Sequence, residues 1–392
     1  MKIQSKAVHA GDRKRSGGHV PVTTPIYTAA SYFYDEIDTL DKVFAQDVPG
    51  YAYSRYHNPT NEALEELVTA LEGGAGALAT SSGMMAIQIA LQAALLDRNK
   101  TILAAHALYG ATIKLLDTVM EPFGCEVHYT DICDLAALEE RIRDLKPGCL
   151  LMETVSNPML RVGEMDRIAE IAKRHGVALI VDNTFATPLL VRPLELGANF
   201  SVHSATKYLS GHGDVLGGFV VADADHIATV RALSKICGPV MGPFNAYLAM
   251  RGIKTFPLRM ERQCRNAACV AAWLSKHPRV ERVAFTGDPA HPDAAVIRRL
   301  MPEGLTGAMV SFEIRDASRE QVFAFLNRLQ MIVPATSLGD VHSMILYPAM
   351  SSHRDLAPKQ RERMGITDRL VRLSVGIEDT DDILADLEQA LR

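Results

Sequence analysis

Two stretches decide how this chain is read: Ala178-Leu-Ile-Val-Asp182 and Phe200-Ser-Val-His-Ser-Ala-Thr-Lys207-Tyr-Leu-Ser-Gly-His-Gly213. Each starts as a short strand-like run and ends in polar residues, the pattern of a covered sheet with chemistry at its carboxyl edge. In the second stretch Lys207 sits among small hydroxylated residues and is followed by glycines. Two readings stand side by side. Lys207 is a solvated lysine on a polar loop, or it is an amine that forms a Schiff base with an aldehyde cofactor. For the second, Ser204 and Thr206 supply hydroxyls for a phosphate and Gly211 to Gly213 supply backbone room. Asp182 follows four apolar residues, so its carboxylate needs a hydrogen-bonding or cationic partner. It is either a turn or cap residue, or one half of a salt link to a protonated pyridine nitrogen; a lysine one strand further on favours the latter.

Working outward, Thr101 to Val221 alternates short apolar runs with amphipathic segments. Strands are expected at 101–105, 126–130, 149–154, 178–182, 200–203 and 218–222, with helices at 108–122, 134–145 and 165–175. This predicts an α/β fold with a largely parallel sheet, its ligand site at the carboxyl ends of the strands. Polar residues collect there, at Glu153 to Pro158, Asp182 to Thr184 and Ser204 to Lys207.

Upstream, residues 1–58 show no sustained helical or strand period and read as an extended arm that must be covered by something else, another subunit being one candidate. The arm ends in Tyr51-Ala-Tyr53-Ser-Arg55-Tyr-His-Asn-Pro-Thr60, a tight group of phenols and a guanidinium before a helix entry at Asn58-Pro59. Leucines at 64, 67 and 71 mark that helix, and Gly73-Gly74 stops it. Ser81-Ser82-Gly83-Met84 then leads from a small-residue strand into another helix: either a common turn or a phosphate seat.

Downstream, 236–257 reads as a connection, 258–275 as a long helix, and the remainder as an α+β domain. That domain has strands at 305–314, 331–333 and 343–346 and helices at 320–329 and 380–391. The expected division is therefore 1–58 arm, 59–245 α/β domain, 246–392 α+β domain. Thr336-Ser337-Leu-Gly-Asp340 is a polar turn beside a strand. Arg372, in Leu370-Val-Arg-Leu-Ser-Val-Gly376, projects from an apolar strand and needs an anion, a substrate carboxylate or an internal acid.

Composition narrows the class. With 392 residues, 48% hydrophobic and 22% charged, the chain is an ordinary globular protein of about two domains. A formal charge of −5 and no basic stripe argue against nucleic acid or anionic membrane as partners. No apolar run reaches signal-peptide or membrane-span length, so a cytoplasmic protein is expected. Cys125, Cys133, Cys149, Cys237, Cys264 and Cys269 have no C-x-x-C spacing, so neither a metal site nor a redox pair is expected. Lys359 to Arg363 is charge-rich and reads as a solvated face.

Taken together and in order, Tyr53-Ser-Arg55 with Asn58-Pro-Thr60, Ser82-Gly-Met84, Tyr109-Gly110, Asp182-Asn-Thr, Ser204-Ala-Thr-Lys207-Tyr, Ser337-Leu-Gly and Arg372-Leu-Ser-Val-Gly resemble the trans-sulfuration family of pyridoxal-phosphate enzymes. That family includes cystathionine γ-synthase, cystathionine γ-lyase, methionine γ-lyase and the O-acylhomoserine sulfhydrylases. The resemblance covers nearly the whole chain. It implies an aspartate-aminotransferase-like (fold type I) architecture, pyridoxal 5'-phosphate as cofactor, and a homotetramer built from dimers that share active sites. It also implies roles. Lys207 would anchor the cofactor and move protons between substrate carbons, and Asp182 would pair with the ring nitrogen. Asn157 would lie near the ring's phenolic oxygen. Ser82, Gly83, Met84, Ser204 and Thr206 would grip the phosphate, joined by Tyr53 and Arg55 from a neighbouring subunit. Tyr109 would stack on the ring and serve as acid or base toward the departing γ-group, and Arg372 with Thr336 and Ser337 would bind the substrate α-carboxylate.

Some positions depart from the family's patterns. Ala52 and Thr336 stand where cystathionine-handling enzymes commonly carry acids, and Ala111 stands where a dedicated methionine γ-lyase usually has cysteine. Lys114 stands where arginine is frequent; it is a receptor for a distal carboxylate or a helix-surface lysine. The expected reaction is γ-elimination from cystathionine or a related sulfur amino acid, with γ-replacement on an O-acylhomoserine as the alternative. A third reading, a non-catalytic paralogue that binds the cofactor, is opposed by the presence of Lys207, Tyr109 and Arg372.

Overall fold

The computed structural model describes residues 1–392 apart from 15–17, 352–353, 355–360 and 362–363. The charge-rich run at 359–363 therefore lies, except for Arg361, outside the described residues.

Seven strands form the larger sheet: β1 (Gly76–Thr80), β2 (Thr101–Ala105), β3 (Glu126–Thr130), β4 (Cys149–Glu153), β5 (Ala178–Asp182), β6 (Phe200–Ser204) and β7 (Gly218–Ala222). Their spatial order is β1-β7-β6-β5-β4-β2-β3. The pairs from β3 through β6 are parallel. β7 runs antiparallel to both β6 and β1. β1, β2, β4 and β7 are buried at every residue, the mark of a sheet covered on both faces. A second sheet holds β8 (Val280–Ala284), β9 (Met309–Ile314), β10 (Val333–Pro334), β11 (Met344–Leu346) and β12 (Leu370–Ser374), in the order β10-β11-β12-β9-β8. A hydrophobic cluster of its own lies beneath it.

Register decides what the larger sheet presents at its carboxyl edge. Glu153 pairs with Asp182, and Asp182 pairs with Val202. Side chains alternate along a strand, so Glu153, Asp182 and Ser204 share one face while Thr154, Asn183 and His203 belong to the other.

Several expected boundaries move. The arm is not extended throughout, because Ile3–His9 and Ile37–Ala45 are helices. The second buries only Val43 and leaves Ile37 and Phe44 exposed, so an apolar helix face waits on this chain's surface. The segment 236–257 is largely the helix Pro243–Ile253, which packs on the helix Pro59–Glu72. The helix expected at 108–122 splits into Gly110–Leu115 and a wider-pitched turn, Leu116–Met120. β8 went unread because its residues alternate only weakly between buried and exposed.

Candidate active site

One cavity of about 430 Å³ opens at the carboxyl edge of the larger sheet and is closed on the other side by the second sheet. Local sequence explains each wall. Ser82 caps the helix Gly83–Leu95, its hydroxyl accepting from the Met85 N–H at 3.2 Å, so Gly83 and Met84 lead with unpaired N–H groups. A Cβ at Gly83 would lie 3.0 Å from the Ser204 Cβ and 3.1 Å from its Cα, so any larger residue makes the helix start or the end of β6 give way by a few tenths of an ångström. Thr206 and Ser204 add hydroxyls to the same corner, and Thr184 ties it by accepting from the Ser204 N–H at 2.9 Å.

Lys207 lies in the turn after β6. Its Nζ donates to Ser337 Oγ at 3.0 Å, and burial, assisted by the Arg372 charge, pushes its amine down to about 8. Asp182 ends β5 with Oδ1 accepting from the Thr184 N–H at 3.0 Å. Burial raises this carboxyl above its ordinary value, and the two hydrogen bonds from Thr184 oppose that rise.

Arg372 projects from β12 across the cavity and is 2% exposed. One guanidinium nitrogen donates to Asn157 Oδ1 at 2.7 Å, while its Nε is buried and meets no partner among the described residues. Burial lowers this guanidinium to about 10. A guanidinium on the cavity wall, with only one of its N–H groups given to Asn157, suits a carboxylate. Phe185 covers the guanidinium at 5.8 Å.

Glu153 is placed by the sequence among the polar residues at the strand ends but is assigned no role there. It ends β4, lines the cavity, and accepts from the main-chain N–H of Tyr109 at 2.6 Å and of Asn157 at 3.2 Å. Burial first, then the neighbouring Asp182, hold its carboxyl well above the usual range. Tyr109 stands at the mouth, 41% exposed, immediately before the helix Gly110–Leu115.

A long helix, Phe256–Leu274, holds the site loops together. Arg259 donates to the carbonyls of Tyr208 at 2.8 Å and Leu209 at 3.0 Å, Gln263 to that of Asp340 at 2.7 Å, and Asn266 to that of Gly376 at 3.1 Å.

The cavity brings together Ser82, Gly83, Met84, Tyr109, Asn157, Asp182, Ser204, Thr206, Lys207, Thr336 and Arg372, and Ser337 reaches it through Lys207. Lys114 is exposed on the helix that follows Tyr109 and is not part of the wall. Tyr53 and Arg55 do not line the wall either. Arg55 is bonded to the Lys235 carbonyl and lies over the rings of Tyr53 and Tyr56.

The donor set fits pyridoxal phosphate. The N–H groups of Gly83 and Met84 and two hydroxyls line a corner suited to an anion, an amine lowered to about 8 lies in the same cavity, and the partly buried Asp182 carboxylate, which meets no guanidinium or ammonium among the described residues, suits a ring N–H. Among the described residues no cluster of His, Cys, Asp and Glu could hold a metal ion, and no helix is long and apolar enough to cross a membrane.

Residues 4–392 match the model of the Cys/Met metabolism PLP-dependent enzymes. The chain is 40% identical to an L-methionine γ-lyase of Fusobacterium nucleatum subsp. nucleatum, over 99% of this chain and 98% of that protein. It is 39% identical to a cystathionine γ-lyase of Bacillus subtilis, over 100% and 99%. A solved structure of a putative O-acetylhomoserine (thiol)-lyase from Campylobacter jejuni, which carries a pyridoxyl-lysine phosphate, superposes with TM-score 0.94 at 29% identity and covers both chains fully.

Proposed function

The chain belongs to the Cys/Met metabolism family of PLP-dependent enzymes, and on that premise we propose how its residues carry out carbon–sulfur lysis by γ-elimination. Its cofactor is pyridoxal 5'-phosphate, and its substrates are sulfur amino acids such as L-methionine and L-cystathionine, in keeping with its lyase relatives. The observation that carries the reading is the pairing, in one cavity, of a lysine amine near pH 8 with a buried arginine that still has a donor to give.

When bound, the cofactor supplies an electron sink for bonds broken at the substrate's α-carbon. Lys207 would hold it, Asp182 would serve its ring nitrogen and Asn157 its phenolic oxygen, and Gly83, Met84, Ser82, Ser204 and Thr206 would hold its phosphate. Arg372 takes the substrate α-carboxylate, with Thr336 and Ser337 at its edge. Burial lowers the Lys207 amine to about 8, so a large share of it is neutral near that pH and its nitrogen can take the proton from Cα and return it elsewhere. The Tyr109 hydroxyl moves a proton at the departing sulfur. Lys114, exposed outside the wall, has no part in this reading.

The same proposal makes the enzyme a homotetramer in which Tyr53 and Arg55 complete a neighbouring subunit's phosphate site. It is supported by their place away from their own cavity and by the exposed apolar side chains of the arm, Val22, Phe33 and Phe44. Cytoplasmic residence belongs to it too, since all six cysteines are free thiols.

The test is a substrate panel on purified holoenzyme. 2-Oxobutanoate, ammonia and a thiol from L-methionine or L-cystathionine alone support γ-elimination, whereas pyruvate and homocysteine from L-cystathionine would replace it with β-elimination. Product only when an O-acylhomoserine and a thiol are supplied together would replace it with γ-replacement. Mixing Lys207→Ala with Arg55→Ala subunits tests the shared site: activity regained on mixing supports it, and none regained refutes it.

A further inference from the structure

Glu153 is the buried acid of the cavity wall to which no step has been given. It is 7% exposed, and both its oxygens are used. Oε1 accepts from the Tyr109 N–H at 2.6 Å and Oε2 from the Asn157 N–H at 3.2 Å. Asn157 in turn receives the Arg372 guanidinium at 2.7 Å. One carboxyl thus joins two pieces of chain, the loop that presents Tyr109 and the turn that follows β4, and through Asn157 in that turn it is linked to the arginine on β12.

Tyr109 needs such a tether. Its ring stands at the cavity mouth, 41% exposed, and the short helical run that follows it changes pitch after Leu115, so its position depends on tertiary contacts. The acid is also suited to this task in a way its amide is not. Two backbone N–H groups converge on its two oxygens; each oxygen keeps a lone pair to accept with, whether or not the acid is protonated, whereas the amide nitrogen of glutamine has none.

We propose that Glu153 is a positioning residue for γ-elimination: its carboxyl sets the Tyr109 backbone and the Asn157–Arg372 pair on a common strand end, and so fixes the span between the tyrosine hydroxyl and the bound α-carboxylate. The proposal rests on the reading of Tyr109 as the group acting at sulfur. A misplacement of about 1 Å at such a group costs on the order of 10²-fold in rate.

A double-mutant cycle on holoenzyme tests it, with Glu153→Gln, Tyr109→Phe and the pair, reading kcat, KM, cofactor content by absorbance, and Tm. Glu153→Gln is expected to keep its cofactor, to lose about 30- to 100-fold in kcat with a much smaller change in KM, and to add less than about 3-fold to the loss in the Tyr109→Phe background. Glu153→Asp serves in the same cycle if the glutamine protein does not fold. Losses that multiply in the double variant, with Tyr109→Phe itself impaired, overturn the role of Glu153 while leaving that of Tyr109. Unchanged kcat per bound cofactor, with only Tm or cofactor content lowered, reduces Glu153 to a structural residue. A fully active Tyr109→Phe removes the reading beneath both.

Discussion

The two faces of the larger sheet at its carboxyl edge carry polar residues drawn alternately from the same strands. On the cavity face, Glu153, Asp182 and Ser204 stand opposite Lys207 and Arg372, with groups left over for a ligand. On the reverse face, Thr154, Asn183 and His203 close on one another and on Glu72, the last residue of the helix Pro59–Glu72. Thr154 donates to Asn183 Oδ1 at 2.7 Å, Asn183 donates to Glu72 Oε1 at 3.0 Å, and His203 Nε2 pairs with the same carboxylate oxygen. His203 and Glu72 have side chains 1% and 0% exposed. The difference teaches that burial of charge does not by itself mark a functional group. Unmet hydrogen-bonding capacity does not mark it either, because Glu72 Oε2 and His203 Nδ1 meet no partner among the described residues; what marks it is a place on the wall of the cavity, which neither of these residues lines.

The comparison breaks at once if both faces serve turnover. Lys207→Ala is expected to lose activity by about 10⁴-fold or more, since anchor and proton carrier go together, while the apoprotein keeps its Tm. Keto-acid release and calorimetry on the same sample decide this. On the reverse face, Glu72→Ala leaves His203 and Asn183 without their shared acceptor and should cost about 3–5 kcal/mol in denaturant unfolding. Its holoenzyme kcat should stay within a few-fold of the parent.

A smaller effect sharpens the role of the cavity face. Arg372→Leu should raise KM for the amino acid by about 10- to 100-fold, the worth of a charge-assisted hydrogen bond. A matching fall in the affinity of a carboxylate inhibitor would locate the loss. The smallest effect is a pH dependence. Lys207 is lowered to about 8, so the folded apoprotein carries fewer protons there than the unfolded chain between that value and the ordinary lysine range. Its rate of reconstitution with pyridoxal phosphate should therefore rise with pH around a midpoint near 8, and its stability should rise, not fall, from there toward pH 10. A flat reconstitution rate from pH 7 to 9 would place the amine elsewhere.

Much of this was legible. Lys207 among hydroxyls, Asp182 at the end of an apolar run and Arg372 inside an apolar strand are residue-type anomalies, and the strand–helix alternation put the first two at neighbouring strand ends. What stayed hidden has a common physical cause. Glu153 acts on backbone N–H groups, which every residue but proline carries, so its partners left no signature in the sequence. The antiparallel direction of β7 was equally silent, because period-two alternation has no sense of direction. The helix Ile37–Ala45 does carry Ile37, Leu40, Val43 and Phe44 at helical spacing, but nine residues are too short a run to stand out within the aperiodic arm.

The alternation of faces also limits how this enzyme can change. Consecutive residues at the ends of β4, β5 and β6 belong to opposite faces, so inserting or deleting one residue in any of these strands would exchange a ligand-facing group for a structural one. Point substitution remains open to these strands, but a change in their length does not. Variation in substrate preference is then directed to the loops around them, where Tyr109, Thr336 and the arm can lengthen, shorten or shift without turning the sheet's two faces over.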